Sequence, residues 1–128
     1  MKGDNLRSVL LRLCVSISLA LALLAVFAQP AWAHAILMES KPAINSAVKG
    51  PEVAIWLRFN VRIDGGRSRV QLAGPDGSLQ TLSLVKQSSP DILQSQAGGL
   101  KPGAYKLMWN VLAADGHMSK GEVPFTVN

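Results

Sequence analysis

The sequence has few residues with which to cross-link, to bind metal or to catalyse. Its one cysteine, Cys14, lies in an apolar stretch near the N-terminus. No disulfide can therefore close within residues 34–128, and the core of that segment must stand on packing or be helped by a metal. Aromatic residues make up 5% of the chain and are scattered. The basic–aromatic array that marks a nucleic-acid surface is missing, which argues against such a partner. Beyond residue 28 no apolar run approaches the roughly 20 residues of a membrane-spanning helix. There are two histidines, His34 and His117, and in the stretch 60–96 neither histidine nor methionine occurs. Any imidazole chemistry must therefore use His34, His117 or both.

What is present begins with an address. Lys2, Arg7 and Arg12 form a basic start, and Leu13 to Ala28 is an almost unbroken apolar run. Gln29-Pro30 then interrupts, and Ala31-Trp32-Ala33 has the small-x-small pattern of a signal-peptidase site. The order predicts a cleaved secretory signal over residues 1–33 and a mature domain over 34–128. An uncleaved membrane anchor is the competing reading, but the run is 16 residues long, short for a span. Cys14 lies too far from the cleavage site for a lipoprotein anchor. Residues 34–128 carry ten Lys and Arg against seven Asp and Glu, a modest excess. Arg62, Arg67 and Arg69 read as a solvated basic loop.

The mature segment reads as strands throughout. Val53, Ile55, Leu57 and Phe59 alternate with Ala54, Trp56, Arg58 and Asn60. Tyr105, Leu107, Trp109 and Val111 repeat the pattern, as do Val123, Phe125 and Val127, and more briefly Val70 and Leu72. Shorter candidates are 34–39, 79–85 and 92–96. Turn clusters separate them, among them Lys49-Gly50-Pro51, Asp64-Gly65-Gly66, Gly74-Pro75-Asp76-Gly77 and Lys101-Pro102-Gly103. About seven short strands in fewer than 100 residues predict an all-β sandwich of two sheets in a single domain. Leu100 to Tyr105 has the look of a tyrosine corner, in which a tyrosine at the start of a late strand bonds back to the preceding turn.

His34 is the residue with the most chemistry. Cleavage after Ala33 would make it the first residue, with a free α-amine and an imidazole able to close one chelate ring on a metal. His117 lies in Ala114-Asp115-Gly116-His117, in the segment 111–121 that joins the last two strands. Side chains two apart leave an extended segment on the same side, so Asp115 and His117 can face one ion. Three nitrogens and a carboxylate oxygen suit copper(II), which prefers tetragonal N and O donors. The candidate metal ligands are His34, Asp115 and His117. The plainer alternative is that Asp115-Gly116 is only a hairpin turn and His117 a loop histidine. Met38, Met108 and Met118 are scattered and suggest no separate copper(I) site, although Met118 adjoins His117.

These residues, together with Ser40-Lys41-Pro42-Ala43, Leu57-Arg58-Phe59, Gly103-Ala104-Tyr105, Trp109-Asn110-Val111, Gly121 and Phe125-Thr126-Val127, resemble the CopC/PcoC copper resistance family over the whole mature segment. The resemblance implies a periplasmic copper-binding protein with an immunoglobulin-like β-sandwich. It implies that the mature N-terminal histidine binds copper(II) through amine and imidazole, with an aspartate and a histidine completing the site; these fall on His34, Asp115 and His117. It also implies a CopD-like membrane copper transporter as a partner, which here acts in trans. Two-site members carry a methionine-rich, histidine-containing loop for copper(I). The matching stretch 60–96 lacks both residue types, so a copper(II)-only member, acting as a monomer, is expected.

Three functions compete. The first is a non-enzymatic module that sequesters or hands over copper. The second is an enzyme of the copper polysaccharide monooxygenase kind, which shares an N-terminal histidine chelate. It needs an open substrate surface, whereas most aromatics here fall on core-facing positions. The third is a metal-free interaction sandwich.

Overall fold

The computed structural model describes residues 2–27 and 34–128, and the chain divides into two compact units at about residue 33. The first holds a helix, α1, Lys2–Phe27. It is rich in leucine and alanine, which lose little side-chain freedom in a helix. Leu6, Leu10, Leu13 and Ile17 on it are exposed. Among the described residues no helix is long and apolar enough to cross a membrane. The expected cleavage site lies in 28–33, outside the described residues.

The second unit is built of strands β1 Leu37–Lys41, β2 Ser46–Val48, β3 Val53–Phe59, β4 Ile63–Ala73, β5 Leu79–Leu82, β6 Ile92–Ala97, β7 Gly103–Ala113 and β8 Met118–Val127. They form a three-stranded sheet in the order β1-β3-β6 and a five-stranded sheet in the order β2-β8-β7-β4-β5. The expected alternation is realised. In β3, Val53, Ile55, Leu57 and Phe59 are buried, as are Tyr105, Leu107, Trp109 and Val111 in β7. Val123, Phe125 and Val127 of β8 join them in one core between the sheets. Burying a side chain such as Leu57 or Leu107 stabilises by roughly 1.5–3 kcal/mol, and this is what two-residue periodicity accomplishes here. Phe59 meets Trp109 edge to face, with ring centroids 5.2 Å apart, and so joins β3 to β7.

The tyrosine corner is present. The Tyr105 hydroxyl donates to the Lys101 carbonyl at 3.0 Å and accepts from the Lys101 N–H at 3.0 Å.

The structure corrects four expectations. The strands number eight among the described residues, not about seven, because Ser46–Val48 pairs in parallel with β8, Ser46 opposite Phe125. Three residues recruited by backbone pairing leave no periodic signature. The first strand starts at Leu37 rather than at His34. The second candidate strand of 79–85 stops at Leu82. Finally, Asp64-Gly65-Gly66 is not a turn, and of the stretch Arg62 to Arg69, whose arginines are exposed as expected, all but Arg62 is strand rather than loop. Strand β4 begins at Ile63, opposite Ala113 of β7, and its register shifts between Asp64 and Arg69. The Asp64 carboxylate accepts from the Arg67 backbone N–H and side chain within that irregularity.

Candidate metal centre

The β7–β8 hairpin runs in register from Gly103 opposite Val127 to Leu112 opposite Met118. Its turn is Ala113 to His117. The Ala113 N–H donates to the His117 carbonyl at 2.9 Å, and the Gly116 N–H to the Ala113 carbonyl at 2.9 Å. Gly116 has φ +87°, a left-handed conformation that glycine adopts without steric cost. The plain hairpin reading and the candidate site therefore coincide: the Asp-Gly turn is the element that presents Asp115 and His117.

Asp115 shapes the turn from within. Its Oδ1 accepts the His117 backbone N–H at 3.0 Å, and its Oδ2 stands 3.2 Å from His117 Nδ1. That backbone hydrogen bond holds the Asp115 carboxyl below the usual carboxylate range, against an opposing desolvation. Contact with the His117 side chain and the nearby charges of His117 and His34 add to the lowering. An ionised carboxylate beside an imidazole fixes the ring's orientation and raises its basicity as a ligand.

The other donor arrives from the start of the domain. Ala35 is buried in the core, and its N–H donates to Ser119 Oγ at 3.1 Å. The Ile36 N–H donates to Asn60 Oδ1 at 2.7 Å, and the Asn60 N–H returns to the Ile36 carbonyl at 3.0 Å. These contacts carry His34 to the hairpin turn. Its imidazole lies 5.9 Å from that of His117, centroid to centroid, with the planes at 76°. Nitrogen–metal bonds of about 2 Å, with the ring radii added, put two rings that share one ion at most about 6 Å apart. The separation fits a shared ion once both rings turn a nitrogen towards it. Among the described residues no three His, Cys, Asp or Glu side chains are already gathered to hold a metal. In the unprocessed chain the His34 nitrogen is an amide, so that donor does not yet exist.

Met118 faces the other way. It shares the outer face of β8 with Lys120 and Glu122, while Ser119 and Gly121 take the inner side, and it borders a shallow depression with Arg67, Arg69 and Asn110. Ser119 and Asn60 were not singled out in the sequence. Ser119 did carry a signal, since it occupies an inward position in the alternation that leads to Val123 and Phe125. Asn60 carried none.

The domain is a two-sheet β-sandwich with a histidine–aspartate turn beside a histidine-bearing terminal arm, and the proteins it is similar to are copper-related. Residues 37–128 match the CopC domain, and the chain belongs to that family. It is 35% identical over 99 residues to the protein YobA of Escherichia coli K12, covering 75% of this chain and 80% of that one. The structure resembles CopC from Methylosinus trichosporium OB3b, with a TM-score of 0.67 and 26% identity over 74% of this chain and 94% of that one. It also resembles PcoC, a methionine-rich copper resistance protein from Escherichia coli, with a TM-score of 0.62 and 26% identity over 75% of this chain and all of that one. Asp115 and His117 fall inside the family match, while His34 lies just before it.

Proposed function

We propose that the chain is a periplasmic copper(II)-binding protein that sequesters or hands over its cargo and catalyses no reaction. In this reading residues 1–33 are removed as a signal peptide, and the exposed apolar side chains of α1 suit a segment that belongs to no core. Cleavage frees the His34 amine, which joins its own imidazole, the His117 imidazole and the Asp115 carboxylate. The observation that carries the reading is the 5.9 Å approach of His34 to His117 from opposite ends of the domain. Membership of the CopC family supports copper as the metal. The nitrogen-rich donor set with one carboxylate favours the copper(II) state.

A non-enzymatic role is supported by the burial of all the aromatics of the domain except the half-buried Trp56. Phe59, Tyr105, Trp109 and Phe125 are buried in the core and offer no stacking platform for a polysaccharide. The protein acts as a monomer, and the family resemblance adds a CopD-like membrane transporter, in trans, as the receiver of the metal.

The test is to express the full chain, recover the processed protein and combine two measurements. Intact mass gives the first residue, and copper(II) EPR counts the nitrogen ligands. Three nitrogens on a chain that starts at His34 are expected. A variant processed with one additional residue before His34 should lose the amine nitrogen and bind more weakly. Processing elsewhere, or equal binding by His34→Ala, would falsify the reading.

A further inference from the structure

We infer that Ser119 and Asn60 are positioning residues which clamp the terminal arm, so that the placing of His34 beside His117 depends on two side chains that need not touch the metal. The inference deepens the copper reading and rests on it for its purpose, though not for its geometry.

The arm has no strand to hold it. β1 begins at Leu37, where pairing with Phe59 of β3 starts. Residues 34–36 lie ahead of that ladder, and an N-terminal segment of this kind frays unless it is tied down. Three ties replace the ladder. Asn60 grips Ile36 from both sides, accepting its N–H through Oδ1 at 2.7 Å and donating its own backbone N–H to the Ile36 carbonyl at 3.0 Å. Ser119 takes the next N–H inward, that of Ala35, at 3.1 Å. The Ala35 methyl group is buried in the core.

The placement of Ser119 gives the clamp its meaning. It sits on the inward face of β8, two residues beyond His117 of the turn. The peptide it holds joins His34 to Ala35. The turn that opens β8 therefore presents His117, and the second residue of β8 fixes the peptide next to His34. Asn60 anchors the same arm to the end of β3, so the arm is held by both sheets. A serine at an inward position near the core, and an asparagine whose side chain continues a ladder, are both accounted for by this task.

The test uses processed protein recovered from cells expressing the full chain. Ser119→Ala and Asn60→Ala remove the acceptors. Ser119→Thr keeps a hydroxyl, and Asn60→Asp keeps an acceptor oxygen. In the metal-free protein, NMR reads the nuclear Overhauser contact between the His34 and His117 rings and the exchange of the Ala35 and Ile36 amides. The alanine variants should lose the ring contact and exchange faster, while the conservative variants retain both. Copper(II) titration in parallel should show each alanine variant weakened about three- to tenfold, the scale of one net hydrogen bond. Unchanged ring contact and exchange in the alanine variants would overturn the clamp. So would losses that the conservative variants share in proportion to a lowered unfolding midpoint. Wild-type protein that shows the ring contact but takes up no copper(II) would support the clamp and sink the copper reading.

Discussion

Trp109 lies against Gly121, its cross-strand partner, and its indole fills the space that any side chain at Gly121 would enter. The absence of a Cβ at position 121 lets the ring reach inward to Phe59. Gly121→Ala must displace either the indole or the β8 backbone. We expect a loss of about 1–3 kcal/mol, the usual range for overpacking a well-filled core, measured by urea unfolding. An unchanged midpoint would show that the ring has room to move.

Asp115 does two things that a single substitution can separate. Its Oδ1 closes the turn on the His117 N–H, and its charge faces the His117 ring. Asn at 115 keeps an acceptor for the N–H but removes the charge. Asp115→Asn should therefore leave the thermal midpoint nearly unchanged and weaken copper(II) binding by at least about 10- to 100-fold, the range seen when a partner that orients a metal ligand is altered. His117→Ala should remove one nitrogen from the EPR pattern. If Asp115→Asn binds as tightly as the wild type, the carboxylate neither ligates nor orients.

How much of this was legible in the sequence varies with the physical cause. Strands β3, β7 and β8 were readable because one face of each is buried and alternation follows directly. The corner at Tyr105 was readable because Pro102-Gly103 precedes the aromatic at the right distance. His34, Asp115 and His117 stood out by rarity and position, and the structure brings the two imidazoles together. β2 was not readable, because parallel pairing at an edge makes no demand on side chains. The start of β4 misled because Asp64-Gly65-Gly66 has turn composition, yet the segment stays in the sheet through a register shift. The grips of Ser119 and Asn60 were hidden because a hydrogen bond to a backbone N–H far away in sequence has no local pattern.

Acid should weaken the fold through several surface carboxylates. Asp64 is held low chiefly by the Arg67 side chain, Asp76 by the Ser78 hydroxyl and Asp91 by the Ser89 hydroxyl. Each has a folded value below its unfolded one, so the unfolded chain binds more protons as the pH falls. The stabilisation is fully present above about pH 4, the ordinary carboxylate value, and is lost as the pH drops through the depressed folded values. Urea midpoints should be flat from pH 7 to 5 and decline below 4. Asp76→Asn should make that decline shallower. A decline of the same slope in the variant would remove Asp76 from the account.

Copper uptake should follow pH for a different reason. An ordinary α-amine titrates near 7.7–8.0 and an ordinary imidazole near 6.5, and both must lose protons to bind metal. Affinity measured against a competing chelator should fall as the pH drops from 8 to 6. A form with an acetylated N-terminus lacks the amine and should show a shallower fall. Equal slopes for the two forms would mean that the amine is not a ligand.

Tyr105 offers a control that lies outside the candidate centre. Its ring stacks on Phe125 at 5.8 Å with the planes 20° apart, and its hydroxyl makes two bonds to the Lys101 backbone. Tyr105→Phe keeps the stacking and removes both bonds, leaving the Lys101 N–H and carbonyl without the hydroxyl they share. The expected cost is about 1–3 kcal/mol, read as a lower unfolding midpoint. The EPR signal and copper affinity should match the wild type, since the corner holds the start of β7 while the turn that carries Asp115 and His117 lies at that strand's other end. A loss of copper binding alongside the stability loss would show that the hairpin transmits strain along its whole length, and the turn would then not be the autonomous element its local hydrogen bonds make it.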